Sequence, residues 1–155
     1  MAHAAPPGYS VRPPVAADRD AWASLYALYA AFYGVEQTVE QRATVWGWIH
    51  DPGHEVAALL LIDAAGLPVG LAHYRPFARP LASSTGGYLD DLFVHPASRG
   101  AGGANLLLAE LRWIAQANGW TVIRWITAED NHRARAVYDR SASRTGWVTY
   151  DMLPD

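Results

Sequence analysis

The chain has 155 residues, a net charge of −3 and no cysteine. Its length suits one domain with a sizeable core, and its charge provides no basic surface for a nucleic acid. The lack of cysteine excludes disulfides, thiolate nucleophiles and cysteine-ligated zinc. No apolar stretch approaches the roughly 20 residues of a membrane span, and residues 1–8 lack a signal-peptide pattern. We therefore predict a cytoplasmic protein with a disordered tail at residues 1–8, one domain at residues 9–155, and neither nucleic acid nor membrane as a partner.

The N-terminal part predicts an edge strand followed by two helices. Residues 9–12 form the strand, which two prolines end. Aromatic residues then recur at three- and four-residue spacing after Asp18, a candidate N-cap, until Gly34 ends the helix. Thr38 and Gln41 match a capping box, which indicates the start of the second helix.

Two strands and a loop are predicted next. Residues 55–63 are a continuous apolar run, which is typical of a buried strand, and residues 67–74 return as its antiparallel partner. Residues 76–87 are predicted to form a loop. His50 and His54 have the spacing of metal ligands, but Pro-Gly between them breaks the helix that would align them, so no metal site is predicted.

The central stretch predicts a strand, a glycine-rich turn and a helix. Residues 89–94 are apolar apart from two adjacent aspartates, and Pro96 stops the strand. Residues 99–104 read Arg-Gly-Ala-Gly-Gly-Ala, and apolar residues follow at helical spacing. Converging backbone N–H groups and the helix N-terminus suit such a turn to a pyrophosphate. The P-loop pattern fails because no Gly-Lys-Ser/Thr follows, and the dinucleotide fingerprint fails because its last glycine position is Asn105.

The C-terminal part predicts a strand, a helix and a last strand. Asn118-Gly119 ends the preceding helix, and residues 121–127 are a β-branched strand. A helix from Asn131 to about residue 143 and a strand at residues 147–152 complete the chain. Helices and strands mixed in this order indicate an α/β layered domain.

The motifs of residues 88–152 resemble those of the GNAT superfamily of acetyl-CoA-dependent N-acetyltransferases. The resemblance rests on Val-x-Pro-x-x-Arg-Gly-x-Gly after a strand, and on Asn-x-x-Ala-x-x-x-Tyr at Asn131, Ala134 and Tyr138. The strand Leu-Asp-Asp-Leu-Phe-Val and the ending Trp-Val-Thr-Tyr are most similar to the branch that contains polyamine and histone-tail acetyltransferases. One departure is Gly103, where the family commonly has a bulky apolar residue.

The resemblance implies a fold and a cofactor. The expected fold is a central mixed, mostly antiparallel sheet of about six to seven strands with helices on both faces. The cofactor is acetyl-CoA, whose pantetheine arm would pair with the strand and whose pyrophosphate would lie in the turn. The residues that would bind it are Leu92, Phe93, Val94, Arg99, Gly100, Ala101, Gly102, Gly103, Ala104, Asn131 and Ala134.

Acetyl transfer also needs groups that move protons. Tyr138 is expected to act as the general acid toward the departing thiolate, because a phenol with a pKa of about 10 can supply a proton. A core aromatic is the alternative for this residue, and a helix N-cap is a second role for Asn131. Asp90 matches the position of a water-mediated base in polyamine-type relatives. Strand alternation puts Asp91 on the opposite face, where it could help to bind a cationic acceptor.

The acceptor is predicted to be the primary amine of a small molecule such as a polyamine or an amino acid. Tyr33 and Glu36, in the segment between the first two helices, are expected to contact it. A protein lysine or N-terminus is an alternative acceptor, and a CoA-binding sensor without turnover is an alternative function. The resemblance further implies a homodimer formed through the last strands, with Trp147 and Tyr150 at the contact.

Overall fold

The computed structural model describes residues 7–154, so residues 1–6 of the predicted tail lie outside the described part. Five strands form one sheet in the order β1-β2-β3-β4-β5. The first three pairs are antiparallel and β4–β5 is parallel, which confirms the predicted mixed, mostly antiparallel sheet. Its strands are β1 (Ser10–Arg12), β2 (Ala57–Ile62), β3 (Pro68–Arg79), β4 (Ser84–Val94) and β5 (Ile123–Arg124). Its helices are α1 (Arg19–Phe32), α2 (Val39–His50), α3 (Gly103–Ala117) and α4 (His132–Ser141).

Helices cover both faces of the sheet, as expected. On one face, α3 packs on a buried cluster that includes Leu61, Leu89 and Leu107. On the other face, α1 and α2 pack on a cluster that includes Trp22 and Leu60. Strand side chains alternate, so successive residues of β2 pack in the two clusters on opposite faces of the sheet. An unbroken apolar run is therefore what a strand buried on both faces requires. Within residues 7–154, no helix is both long and apolar enough to cross a membrane.

Several helix ends follow their sequence signals. The hydroxyl of Thr38 accepts from the N–H of Gln41, and the amide of Gln41 accepts from the N–H of Thr38, so the predicted capping box forms. Asn131 caps α4 by accepting from the N–H of Ala134. Asp18 precedes α1 but makes no cap bond, because its carboxylate is paired with Arg12 instead.

The loop predicted at residues 76–87 is wrong, because β3 continues to Arg79 and β4 begins at Ser84. Pro76 lies inside β3 opposite Gly87. The pairing of β3 with β2 ends at Tyr74, so β3 beyond it has a strand neighbour on one side within the described chain. This part of β3 is therefore an edge. A proline is tolerated there because no neighbouring strand on the open side needs the N–H that proline lacks.

The last strand predicted at residues 147–152 is also wrong for the isolated chain. These residues form no ladder within the described part, which leaves five strands instead of the expected six to seven. Their side chains are strongly exposed, with Trp147 at 85% and Tyr150 at 89%. The apolar pattern of a strand is present, but the described chain offers this segment no partner strand.

A β-bulge in β4 changes the direction of the adjacent aspartates. His73 pairs with Asp91 and Tyr74 pairs with Leu89, so Asp90 is an extra residue in the ladder. The side chain of Asp90 meets Arg75, which lies two residues beyond His73 and hence on the same face of β3. The prediction of opposite faces is therefore wrong, and both carboxylates face the side of the sheet that α1 covers.

Candidate active site

The site is a cleft that opens where two neighbouring strands separate. The parallel strands β4 and β5 pair only at Gly87 with Ile123 and at Tyr88 with Arg124. Beyond Tyr88, β4 continues to Val94 without a partner on that side among the described residues. The cleft has a volume of about 540 Å³ and is bordered by the end of β4, the turn after it, the start of α3, the C-terminal half of α1, and α4.

The glycine-rich turn borders one end of this cleft. Gly100 and Gly102 have φ values of +87° and +80°, which other residues adopt only with strain, and neither has an atom within 4 Å of where a Cβ would lie. Backbone conformation therefore demands these glycines, and the space beside them stays open. Since α3 begins at Gly103, its first N–H groups and the positive end of its dipole are available to an anion.

Gly103 is needed for a different reason. A Cβ on this residue would lie well inside contact distance of Cδ2 of Leu61, a fully buried side chain of β2. The first turn of α3 therefore packs directly on the sheet. Glycine stands here in place of the bulky apolar residue expected from the resemblance. The close packing of Gly103 against Leu61 leaves no room for such a side chain.

Arg99 links the turn to both walls of the cleft. Its Nε donates a hydrogen bond of 3.0 Å to the carbonyl of Val94, at the end of β4. Its guanidinium lies 5.6 Å from the ring centroid of Phe93 and 5.8 Å from that of Phe32. These distances are those of cation–π contacts, so the arginine connects the turn to α1.

The structure brings most of the predicted site residues into one cleft. Those that line it are Leu92, Phe93, Val94, Arg99, Gly100, Ala101, Gly102, Gly103, Ala104, Asn131, Ala134, Tyr138 and Tyr33. Asp90 and Asp91 do not line it, although they directly precede Leu92 in β4. Glu36 is exposed in the segment between α1 and α2 and lies outside the cleft.

Other lining residues were not predicted from the sequence. Tyr29 and Phe32 belong to the aromatic face of α1, and the sequence pattern does not separate aromatic residues of a core from those of a cleft. Arg133 and Arg140 lie one helical repeat apart on α4 and also line the cleft. Their seven-residue spacing is the one available signal, and it equally fits an exposed helix face.

Tyr138 lies at the wall that α4 contributes. Its ring contacts that of Trp125, with the centroids 5.3 Å apart. Burial, with a smaller contribution from Tyr33, raises the pKa of Tyr138 to about 12. The phenol is therefore protonated at neutral pH, and it can donate a hydrogen bond to negative charge that forms in the cleft.

The two aspartates before Leu92 differ in environment. Asp90 is one-third exposed and pairs with Nε of Arg75 at 3.1 Å. Burial raises the pKa of Asp90, and the opposing effect of Arg75 does not cancel it. Asp91 is more buried, and burial acts to raise its pKa, but the hydrogen bond and charge interaction with His73, with smaller contributions from Tyr29 and Tyr26, outweigh it and lower the pKa. The adjacent carboxyl groups thus have pKa values displaced in opposite directions.

Comparison with known proteins defines the class. Residues 22–142 match the model of the acetyltransferase (GNAT) family. The D-amino-acid N-acetyltransferase HPA3 of Saccharomyces cerevisiae is 28% identical over 134 residues, which cover 86% of this chain and 83% of that protein.

Solved structures share the fold. A ribosomal-protein-alanine N-acetyltransferase from Brucella melitensis biovar Abortus 2308 has a TM-score of 0.77 at 21% identity, with 94% of this chain and 98% of that chain covered. AAC(6')-Iy, in complex with a bisubstrate analogue built on CoA, has a TM-score of 0.79 at 17% identity, with 95% and 99% covered.

The chain belongs to the GNAT family of acetyltransferases. It is an acetyl-CoA-dependent N-acetyltransferase, and its cofactor is acetyl-CoA. The predicted family, fold, enzyme class and cofactor are therefore confirmed.

Proposed function

We propose that the enzyme transfers the acetyl group of acetyl-CoA directly to the primary amine of a small molecule. One observation carries this proposal: the cleft beside the unpaired end of β4 has a glycine-rich turn at one end and, at the other, Leu92 directly after two aspartates. Bound acetyl-CoA supplies an activated acetyl thioester. The turn suits its pyrophosphate, and the free edge of β4 at Leu92–Val94 suits its pantetheine amides.

The residues of the cleft fit such a cofactor. Open space at Gly100 and Gly102 admits phosphate oxygens close to the backbone, and a side chain at either position would occupy that space. Because β4 runs from Leu92 toward the turn, phosphates at the turn leave the Leu92 end of the strand for the acyl group. Asn131 and Ala134 contribute the facing wall from α4.

The proton transfers are assigned to two side chains. Asp90 takes the proton of the amine, through a water molecule, and its raised pKa improves it as a base. Tyr138 stabilises the departing sulfur by hydrogen bonding and supplies a proton as charge develops there. Asp91, Tyr33 and Glu36 are assigned to the acceptor side.

The composition of the chain supports direct transfer. It has no cysteine and no lysine, so neither a thiol nor a lysine amine is available to carry the acetyl group covalently. Intersecting initial-velocity lines are therefore expected when both substrates are varied. Parallel lines, the pattern of a covalent acetyl-enzyme, would contradict direct transfer.

The acceptor is tested by thiol release from acetyl-CoA. The panel contains polyamines, L- and D-amino acids, aminoglycosides and a histone-tail peptide, and the D-amino acids are included because of the similarity to HPA3. Turnover confined to small amines is expected. Turnover of the peptide alone would overturn the small-molecule assignment. The enzyme has no lysine of its own, so self-acetylation at lysine does not compete with the acceptor.

We also propose a cytoplasmic homodimer with one catalytic domain per chain at residues 9–155. Support for the dimer comes from the segment 147–152, which carries exposed Trp147, Tyr150 and Met152 and has no strand partner in the described chain. A second copy offers such a partner. Sedimentation equilibrium should give twice the chain mass, and Trp147→Ser with Tyr150→Ser should give the single mass. A wild-type monomer throughout the micromolar range would contradict the dimer.

A further inference from the structure

A buried chain of hydrogen bonds leads from Trp22 in the core to Asp91, the residue before Leu92 in β4. Nε1 of Trp22 donates to Nε2 of His73 at 2.9 Å. Nδ1 of His73 lies 2.8 Å from Oδ2 of Asp91. Trp22 is 1% exposed and His73 is 2% exposed, so no bulk water competes for these bonds.

The geometry determines where His73 carries its proton. An indole N–H is a donor and has no acceptor capacity. Nε2 of His73 must therefore accept from Trp22, which leaves the proton on Nδ1, facing Asp91. A second proton, on Nε2, would point at the indole N–H, which is a donor and not an acceptor.

Asp91 receives further donors from α1. The hydroxyl of Tyr26 donates to Oδ2 of Asp91 at 3.0 Å, and Tyr29 also acts to lower the pKa of this carboxyl. Burial in turn raises the pKa of both tyrosines, so these hydroxyls keep their protons. A carboxylate surrounded by such donors stays ionised.

We propose that Trp22 and His73 are positioning residues that hold Asp91 as a fixed negative charge beside the Leu92 end of the cleft, where it attracts the ammonium group of the acceptor. This inference rests on the proposed transfer to a primary amine. Asp91 directly precedes Leu92, the first residue of β4 in the cleft. Tyr26, which hydrogen-bonds to Asp91, stacks on Tyr29, a residue that lines the cleft, with ring centroids 5.9 Å apart.

The fixed charge also acts on the neighbouring carboxyl group. The charge of Asp91 is one of the causes that raise the pKa of Asp90. Two carboxyl groups with pKa values displaced in opposite directions can serve different roles, one as a permanent charge and one as a proton acceptor. Asp91 thereby strengthens Asp90 as a base.

The network itself is tested without an acceptor. In ¹⁵N NMR of the full-length protein, the resonances of His73 should show a protonated Nδ1 and an unprotonated Nε2. His73→Asn identifies these resonances by their loss. A proton on Nε2 in the wild-type protein would overturn the proposal.

The charge is tested by binding of 1,4-diaminobutane to the CoA complex, measured by calorimetry. Asp91→Asn should weaken binding roughly ten- to a hundredfold, because it removes one charge at short range while keeping the shape. Asp20→Asn, an exposed change of the same kind in the first turn of α1, should leave binding unchanged. Equal binding by Asp91→Asn and the wild type, or no binding to the wild type, would overturn the attraction.

The positioning role is tested by the tautomer of His73. Trp22→Phe removes the donor to Nε2, so the proton is no longer confined to Nδ1. The ¹⁵N resonances of this variant should show both tautomers, and binding of the diamine should be weaker than in the wild type. The groups that face His73 and Asp91 are Tyr26 and Tyr29 from α1, and Asp90 and Arg75 from the sheet. Of these, Tyr26 contacts the indole of Trp22, with ring centroids 5.4 Å apart, and the phenyl ring of the variant keeps an aromatic side chain beside it.

A second pair of variants covers a failure of Trp22→Phe to fold. His73→Asn keeps an N–H donor toward Asp91 and should retain most of the binding, whereas His73→Leu should not. Equal loss in both, or wild-type His73 resonances together with wild-type binding in Trp22→Phe, would overturn the positioning role. Turnover of any other small amine in the thiol-release panel would leave the proposed function standing, so the two failures are distinguishable.

Discussion

Asp90 forms an ion pair with Arg75, with Nε 3.1 Å from Oδ2, on the face of the sheet that α1 covers. Asp90 lies two residues after Tyr88, the partner of Arg75, and hence on the same face, and the bulge that follows puts Asp91 on this face as well. Arg75 also stacks over Tyr88, with its guanidinium 4.8 Å from the ring centroid. Arg75 is thus held in place. Burial raises the pKa of Asp90, and the charge of Arg75 partly offsets this rise.

If Asp90 is the base, activity should fall in acid as this carboxylate gains a proton. The fall in kcat/KM should occur above the usual aspartate range near pH 4, because the pKa of Asp90 is raised. Arg75→Met removes a cause that lowers this pKa, so the fall should move to higher pH. The measurement is kcat/KM between pH 4 and pH 9. An unchanged profile in Arg75→Met, or full activity in Asp90→Asn, would remove Asp90 from this role.

Tyr138→Phe should lower kcat roughly ten- to a thousandfold and leave the KM for acetyl-CoA nearly unchanged. The ring and its contact with Trp125 remain, and the hydroxyl alone is lost. Because the pKa of Tyr138 is raised to about 12, the wild-type enzyme should show no loss from tyrosine ionisation below about pH 10. Steady-state kinetics of both proteins test this, and an unchanged kcat would return Tyr138 to a packing role.

Gly102→Asp should weaken CoA binding at least roughly tenfold, because a carboxylate would occupy the space expected for the pyrophosphate and repel it. Gly119→Asp is the matched control: Gly119 also has a positive φ, of +67°, and open space, but it lies at the other end of α3. Calorimetry should show near wild-type CoA affinity for the control. Equal affinities in the two variants would place the phosphates elsewhere.

Gly103→Ala should destabilise the protein by about 1–3 kcal/mol, because the added methyl would overlap Leu61 in a fully packed core. Urea denaturation measures the change. Leu61→Ala alone opens a cavity and should cost about 2–5 kcal/mol. The double variant should be more stable than the sum of the two losses predicts, since each change offsets the other. Simple additivity would contradict the direct contact.

Local signals in the sequence were enough for most helices and for the turn. A capping box at Thr38, an N-cap at Asn131 and glycines at positions of positive φ each depend on neighbours within a few residues, so their outcome is visible in the sequence. The same holds for the residues that line the cleft around Gly102, because one strand–turn–helix unit supplies them.

Other features depended on partners distant in the sequence. Pro76 stays in β3 because β2 ends beside Tyr74, and the segment 147–152 is no strand because no described strand pairs with it. Both outcomes depend on which strands lie next to each other in the sheet. The sequence of one strand does not show which other strand will be its hydrogen-bond partner.

By itself the sequence determined the family, and it located the glycine-rich turn and the candidate acid, since these are short motifs whose chemistry is local. Only the tertiary structure decided the roles open to the two aspartates. One extra residue in the ladder turned both side chains to the same face, and contacts from β3 and α1 then separated their pKa values. Register and burial are properties of the assembled sheet, so the sequence Asp-Asp could not reveal which carboxyl group is held by His73 and which meets Arg75.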